Sequence, residues 1–85
     1  MSPKKIPLHL GTKLRAIREL MGWSLDQMAD NLGLSGISRR TRVYEWESGI
    51  RQPDLETLLH YARIIEISTD VLIDDNQNLY LKSKK

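Results

Sequence analysis

The sequence has no cysteine, no phenylalanine and no long apolar run, and each absence excludes a class of protein. Without cysteine, its 85 residues cannot form disulfides or a thiolate metal site. No apolar run approaches the roughly 18 residues that span a bilayer, and residues 1–10 lack the apolar stretch of a signal peptide. We therefore expect one small cytoplasmic domain.

Side chains that carry catalysis are also scarce. His9 and His60 stand apart, and an ion pair between Glu56 and His60 on one helix fits better than half of a metal site, because no second histidine follows at helical spacing. Asp74 and Asp75 lack the glycine and the terminal glutamate of a calcium loop, so a solvated turn fits them better. The glycines stand singly and form no phosphate-binding loop. The sequence predicts no enzyme, no metal and no cofactor.

The charge is unevenly distributed, although the net charge is only +2. Residues 1–53 carry nine Lys and Arg against five acids, residues 54–81 carry one Arg against six acids, and residues 82–85 add three Lys. A basic front half favours an anionic partner such as nucleic acid, although small helical proteins also scatter charge unevenly.

The spacing of apolar residues and helix breakers predicts an all-α bundle of about five short helices with an irregular C-terminal tail. Glycines 22, 33 and 49 are expected to end the first three helices. Capping residues are expected before the later helices, and these are Ser24 (with Gln27 in a capping box), Ser38, Asp54 and Ser68. The apolar residues expected to face inward on the fourth helix are Leu55, Leu58, Leu59, Ala62 and Ile65.

The second and third predicted helices form a helix-turn-helix pattern, whose second helix would lie in the major groove of DNA. Its first half contains Arg39, Arg40, Thr41 and Arg42. Arginines at a helix N-terminus oppose the macrodipole by about 0.3–1 kcal/mol each. Because arginine pairs with guanine and with phosphate, a DNA contact explains this cluster better than a solvated basic turn.

A helical wheel of the third helix, residues 38–48, places Glu47 at the edge of the inner face formed by Val43 and Trp46. A carboxylate near the core needs a partner, and Arg18 on the first helix is the best candidate. We therefore predict a partly buried Arg18–Glu47 ion pair. Glu45 points outward on the same wheel, where it could accept a hydrogen bond from cytosine N4 or hold Arg42 in place.

The order and spacing of these residues resemble the phage-repressor and Cro-type helix-turn-helix family, also called the xenobiotic-response-element family. The matching positions run from Gly11 to about Asp75. They form five strings, Gly11-x-Lys13-Leu14-Arg15-x-x-Arg18, Gly22-x-Ser24-x-x-x-Met28-Ala29-x-x-Leu32-Gly33-Leu34-Ser35, Val43-x-x-Trp46-Glu47-x-Gly49-x-Arg51-x-Pro53-x-Leu55-x-Thr57-Leu58, Tyr61-Ala62 and Ser68-Thr69-Asp70-x-Leu72. The resemblance implies a compact helical bundle that binds double-stranded DNA, commonly as a homodimer, and represses transcription.

The sequence departs from the family pattern at two places. Leu25 stands where the family usually has a glutamine that touches phosphate. Seven residues, Gly36 to Arg42, separate Ser35 from Val43 where the family has about three. The additional residues either lengthen the turn or add a turn to the recognition helix.

The resemblance implies site residues in three groups. The expected base-reading residues are Arg40, Thr41, Arg42 and Glu45. The expected contacts to the DNA backbone are Ser24, Arg39, Arg51 and Lys13. Arg18 and Glu47 are the expected structural pair. The chain would divide into a lead (1–10), the helix-turn-helix domain (11–73) and a tail (74–85) that could add a strand or a dimer contact.

Two alternatives stay open. The same bundle could serve as a protein-interaction module that does not bind DNA. It could also be an antitoxin that binds a toxin as well as its operator, although residues 74–85 leave little chain for that purpose.

Overall fold

Five helices and their connections make up the part of the chain that the computed structural model describes, residues 7–79. The helices are α1 (Leu10–Met21), α2 (Leu25–Asn31), α3 (Arg39–Glu47), α4 (Leu55–Ile64) and α5 (Thr69–Ile73). No strand occurs between residues 7 and 79, which confirms the all-α prediction. The expected strand or dimer contact of the tail falls mostly on Tyr80 and Leu81, outside the described residues.

Local capping signals fix where the helices begin. Ser24 Oγ accepts from the Gln27 amide and Gln27 Oε1 accepts from the Ser24 amide, at 3.1 and 2.8 Å, so the capping box forms. Asp54 and Ser68 cap α4 and α5 through their side chains. Ser38 precedes α3 as expected, but its side chain makes no capping bond, because its backbone (φ −88°, ψ 5°) lies outside the extended region of an N-cap.

The first four helices end in the same way. After each helix one residue takes a positive φ, its amide donates to the carbonyl three residues back, and the next amide donates to the carbonyl five residues back. At these four helix ends the residues with positive φ are Gly22, Gly33, Gly49 and Glu66. A residue without a Cβ suits this conformation, so Glu66, at φ 55°, carries strain that the glycines avoid.

One hydrophobic core joins the helices. α3 packs against α1 and α2, while α5 packs against α1 and α4. The buried apolar side chains within residues 7–79 are Leu10, Leu14, Ile17, Met28, Ala29, Leu32, Val43, Trp46, Leu58, Tyr61, Ala62 and Leu72. Burial of each large side chain contributes about 1.5–3 kcal/mol, so this cluster is the main source of stability.

The prediction for the inner face of α4 is wrong at two positions. Leu55 and Leu59 are exposed, whereas Leu58 and Ala62 are buried as expected and Tyr61 completes the inner face. Leu55 and Leu59 each lie about one turn from a buried residue, which is why the helical period predicted them to face inward. The neighbouring helices cover only one side of α4, and these two leucines lie outside that side.

The approach of α1 to α3 depends on Gly11. A Cβ atom at this position would lie 2.5 Å from the Glu47 carbonyl oxygen and 3.0 Å from the Trp46 carbonyl oxygen. Both contacts involve backbone atoms of the last turn of α3, which cannot rotate away. The absence of a side chain at Gly11 therefore sets the distance between α1 and α3.

Candidate nucleic-acid interface

The helix-turn-helix unit consists of α2, the connection formed by residues 32–38, and α3. Val43 and Trp46 bury one face of α3. Arg40, Thr41 and Arg42 lie exposed on the rest of its surface. The unit therefore presents the polar side of α3 to solvent, with its basic residues near the N-terminal end.

The structure shows where the residues between Ser35 and Val43 are placed. Residues 36–38 belong to the connection, and α3 begins at Arg39 with one full turn before Val43. Four of the seven residues between Ser35 and Val43 therefore form the first turn of α3, and three stay in the connection.

Arg42 stacks on the aromatic ring of Trp46, one turn further along α3. Its guanidinium carbon lies 5.7 Å from the centre of that ring, within the range of a cation–π interaction. Trp46 is itself buried and cannot move freely. The stack restricts the Arg42 guanidinium while leaving the side chain exposed, which prepares it for a directed contact.

Glu45 pairs with Arg51 and not with Arg42. The distance from Arg51 Nε to Glu45 Oε1 is 3.6 Å, and the amide of Ile50 donates to the Glu45 carbonyl at 3.0 Å. The connection after α3 therefore folds back over Glu45. The suggestion that Glu45 holds Arg42 is wrong, because Arg51 reaches that carboxylate first.

An open groove of about 440 Å³ runs along this face. Its lining residues are Ser38, Thr41, Arg42, Glu45, Trp46, Arg51, Gln52 and Asp54. It brings together three predicted base-reading residues and the predicted backbone contact Arg51. Gln52 was not expected there, since nothing in its local sequence distinguishes it from any other polar loop residue.

Asp54 places a carboxylate in the same groove. Hydrogen bonding to Thr57, whose amide donates to Asp54 Oδ1 at 2.8 Å, lowers the pKa of this group below its usual value, and the nearby charge of Arg42 adds to the effect. Asp54 therefore stays ionised at neutral pH. It caps α4 and limits how closely a phosphate can approach this end of the groove.

Arg39 and Ser24 are engaged within the protein. Arg39 forms an ion pair with Asp30 through Nη1 and lies 4.0 Å from a carboxylate oxygen of Asp26, both on α2. Ser24 is committed to the capping box. Within residues 7–79, by contrast, Arg40 and Arg42 form no ion pair with any carboxylate.

Lys13 does not lie on this interface, and its prediction as a DNA contact is corrected. Its side chain is buried, and Nζ donates to the carbonyl oxygens of Val71, Asp74 and Gln77 at 2.7, 3.0 and 2.7 Å. These carbonyls lie in and after α5, where a helix end leaves carbonyls without an intrahelical donor, and the Asp74 carbonyl also accepts from the Gln77 amide at 3.0 Å. Lys13 is therefore an internal cap for the end of α5.

The Arg18–Glu47 pair is present and bidentate. Arg18 Nε and Nη2 donate to the two carboxylate oxygens of Glu47 at 2.7 and 3.0 Å, and Nη1 donates to the Trp23 carbonyl at 2.9 Å. The bond to Glu47 raises the pKa of Arg18 further above its usual value.

Nearby, burial raises the pKa of Tyr61, whose hydroxyl has no hydrogen-bond partner among the described residues.

A family model described as helix-turn-helix matches residues 14–72. The chain is 36% identical over 63 residues, 74% of its length, to a prophage SPbeta-derived uncharacterized HTH-type transcriptional regulator, YonR, of Bacillus subtilis, and spans 55% of that protein. It is 36% identical over 86 aligned positions, 95% of its length, to the cryptic phage CTXphi transcriptional repressor RstR of Vibrio cholerae, and spans 70% of that protein. No solved structure shows a significant match.

None of the helices between residues 7 and 79 has the length and apolarity of a membrane span. The family match covers α2, the connection and α3, as well as Arg18 and Glu47. The chain therefore belongs to the helix-turn-helix family of DNA-binding transcriptional regulators.

Proposed function

We propose that this chain represses transcription by sequence-specific binding to double-stranded DNA, with α3 in the major groove. The observation that carries the proposal is that Arg40 and Arg42 are exposed near the start of α3 and unpaired with any carboxylate among the described residues. Two cations that oppose the helix dipole and form no ion pair within residues 7–79 fit an external anion.

The groove suggests how the bases are read. Arg42, held over Trp46, presents a planar guanidinium suited to the O6 and N7 atoms of guanine. Thr41 lines the same groove, and Arg40 is exposed one residue earlier on α3. Glu45, held by Arg51, offers an acceptor to cytosine N4.

Contacts to the DNA backbone fall to different residues. Arg51 is well exposed and has a single weak ion pair, so it can exchange Glu45 for a phosphate. Ser24 opens α2 and could approach a phosphate through its exposed side. Arg39 is already paired with carboxylates of α2. We therefore assign it mainly to the orientation of α3 against α2, with a phosphate contact as its secondary role.

A homodimer would double the recognition surface. Exposed or half-buried apolar residues remain on and near α5, and they are Ile64, Ile65, Ile67, Val71 and Ile73. A two-fold interface there would place two α3 helices on half-sites about 34–36 Å apart. Sedimentation over a range of concentrations tests this part, and a monomer at the highest concentration would contradict it.

Affinity for duplex DNA measured over a range of salt concentrations tests the function. We expect log K to fall steeply with log salt, and each lost phosphate contact to reduce the slope by about one. Replacing Arg40 and Arg42 together by alanine should abolish specific binding and leave the fold intact, whereas Arg15→Ala, an exposed change on α1, should leave binding intact.

Two results would contradict the proposal. Absence of binding to any duplex at low salt would favour a protein-interaction module on the same fold. Survival of sequence preference without Arg40 and Arg42 would show that α3 is not the recognition helix. The proposed activity is binding without catalysis, in the cytoplasm where the DNA lies.

A further inference from the structure

We propose that Ile37 is a further base-reading residue, which contacts the C5-methyl group of a thymine in the major groove just ahead of α3. The inference rests on the proposed function, because it requires α3 to lie in that groove. It adds an apolar contact to a face that otherwise reads bases by charge and hydrogen bonding.

Ile37 occupies the first central position of a tight turn that leads into α3. The Arg39 amide donates to the Gly36 carbonyl at 3.4 Å, which closes the turn over Ile37 and Ser38. Ser38, at φ −88° and ψ 5°, has the backbone of the second central position of a type I turn. Ile37 is thus part of a defined turn.

Both ends of this turn are attached to α2. Before it, the Leu34 amide donates to the Ala29 carbonyl at 3.0 Å, and the Leu34 side chain packs against the core. After it, Arg39 pairs with Asp30. These attachments hold Ile37 in a fixed place relative to α2 and α3, which lowers the entropy lost when it makes a contact.

The side chain of Ile37 is fully exposed, whereas Leu34 in the same connection is half-buried. A single exposed apolar residue is common on protein surfaces. This one, however, lies two residues before α3 and three before Arg40, so it directly precedes the segment assigned to base reading. Among the base edges in the major groove, the thymine methyl is the apolar group that such a side chain can contact.

An isoleucine cannot pair with phosphate, which separates its contribution from that of the arginines. Loss of Ile37 should change sequence preference and leave the salt dependence of binding as it is, because no counterion is released by an apolar contact. Loss of an arginine changes the charge of the interface and can change both.

Selection of binding sites from random duplexes, with the whole chain and with its Ile37→Ala and Leu8→Ala variants, tests the inference. Leu8 is a matched control, since it is also exposed but lies beside Asp75 at the other end of the bundle. Ile37→Ala should lose the preference for thymine at one position next to those set by the arginines. Leu8→Ala should select the same sites as the wild type.

The methyl group itself can then be removed. Deoxyuridine in place of that thymine should weaken wild-type binding by about tenfold, the low end for one lost apolar carbon, and should barely affect Ile37→Ala. Ile37→Ala and Leu8→Ala should both keep the salt slope of DNA binding and the unfolding free energy of the wild type.

The outcomes separate this inference from the proposed function. If Ile37→Ala selects the same sites as the wild type, or if deoxyuridine has no effect at any selected thymine, the inference is overturned and the proposed function stands. If the wild type selects no sequence at all, both are overturned.

Discussion

Arg18 and Glu47, 29 positions apart in the chain, form a bidentate ion pair between α1 and α3 with donor–acceptor distances of 2.7 and 3.0 Å. Glu47 is the more buried partner, with 6% of its side chain exposed against 17% for Arg18. Removal of Arg18 therefore leaves a carboxylate in the interior. Removal of Glu47 leaves a cation that still binds the Trp23 carbonyl.

Arg18→Met should lower the free energy of unfolding by about 3 kcal/mol, the lower end for breaking a buried pair. Glu47→Leu should cost less, and the double variant should recover much of the loss, since no unpaired charge remains. Urea unfolding measures all three. Arg15→Met, which breaks the exposed Arg15–Glu19 pair, should change stability by less than about 1 kcal/mol. If the loss of stability in the double variant equals the sum of the losses in the two single variants, Arg18 and Glu47 are not energetically coupled and the prediction is contradicted.

Lys13→Met should destabilise the fold by about 2 kcal/mol, because carbonyls at and after the end of α5 lose their shared donor. The salt slope of DNA binding should not change, because the Lys13 ammonium does not reach the interface. Arg15→Met, an exposed loss of charge on the same helix, is the control for stability. A smaller salt slope in Lys13→Met would show that Lys13 contacts a DNA phosphate after all, and would contradict its assignment as an internal cap.

Gly11→Ala should cost about 1–3 kcal/mol, as expected when a methyl group is forced against fixed neighbours. The added Cβ would meet backbone atoms of α3, so α1 and α3 must separate. Thr12→Ala, at the next and exposed position, should change the unfolding free energy by less than about 0.5 kcal/mol. A Gly11→Ala variant as stable as the wild type would show that α1 and α3 can move apart without cost.

Glu66→Gly should raise the free energy of unfolding by about 0.5–1 kcal/mol. Glycine removes the strain of the positive φ at this position, and the greater entropy of the unfolded chain offsets part of that gain. Glu56→Gly, the same change within α4, should instead destabilise by about 1 kcal/mol. Thermal or urea unfolding distinguishes the two, and a loss of stability in Glu66→Gly would contradict the assigned strain.

Arg42→Lys should weaken specific binding by about 10- to 100-fold, because an ammonium cannot make the bidentate contact of a guanidinium and stacks less well on Trp46. Non-specific affinity and its salt slope should stay the same, since the charge remains. Arg63→Lys, an exposed change on α4, should leave both affinities unchanged. If wild type and Arg42→Lys bind the specific site with equal affinity, Arg42 contacts a phosphate and does not read a base.

Most signals that act over a few residues were predicted correctly from the sequence, and the exception is Ser38, whose side chain makes no capping bond. The capping box of Ser24 and Gln27 forms because both bonds lie within one turn, and Gly22 ends α1 because its backbone allows the positive φ. The Arg18–Glu47 pair is a longer inference, but it needed only one charged residue at the edge of each of two inner faces.

The other contacts that depend on how distant segments meet could not be predicted. Lys13 belongs to the basic half of the sequence, and only the arrival of α5 at its side turns it into a cap. Leu55 and Leu59 fit the apolar period of α4 yet lie exposed, because no described neighbour covers them.

The sequence by itself determined the helices, the caps formed by Ser24, Asp54 and Ser68, the helix-turn-helix order and the excess of arginine at the start of α3. Those features follow from local backbone preferences and from side-chain spacing. Only the tertiary structure decided which of the charges are free. Packing brings Asp26 and Asp30 to Arg39, Glu45 to Arg51 and three carbonyls to Lys13, and it leaves Arg40 and Arg42 without a carboxylate partner among residues 7–79.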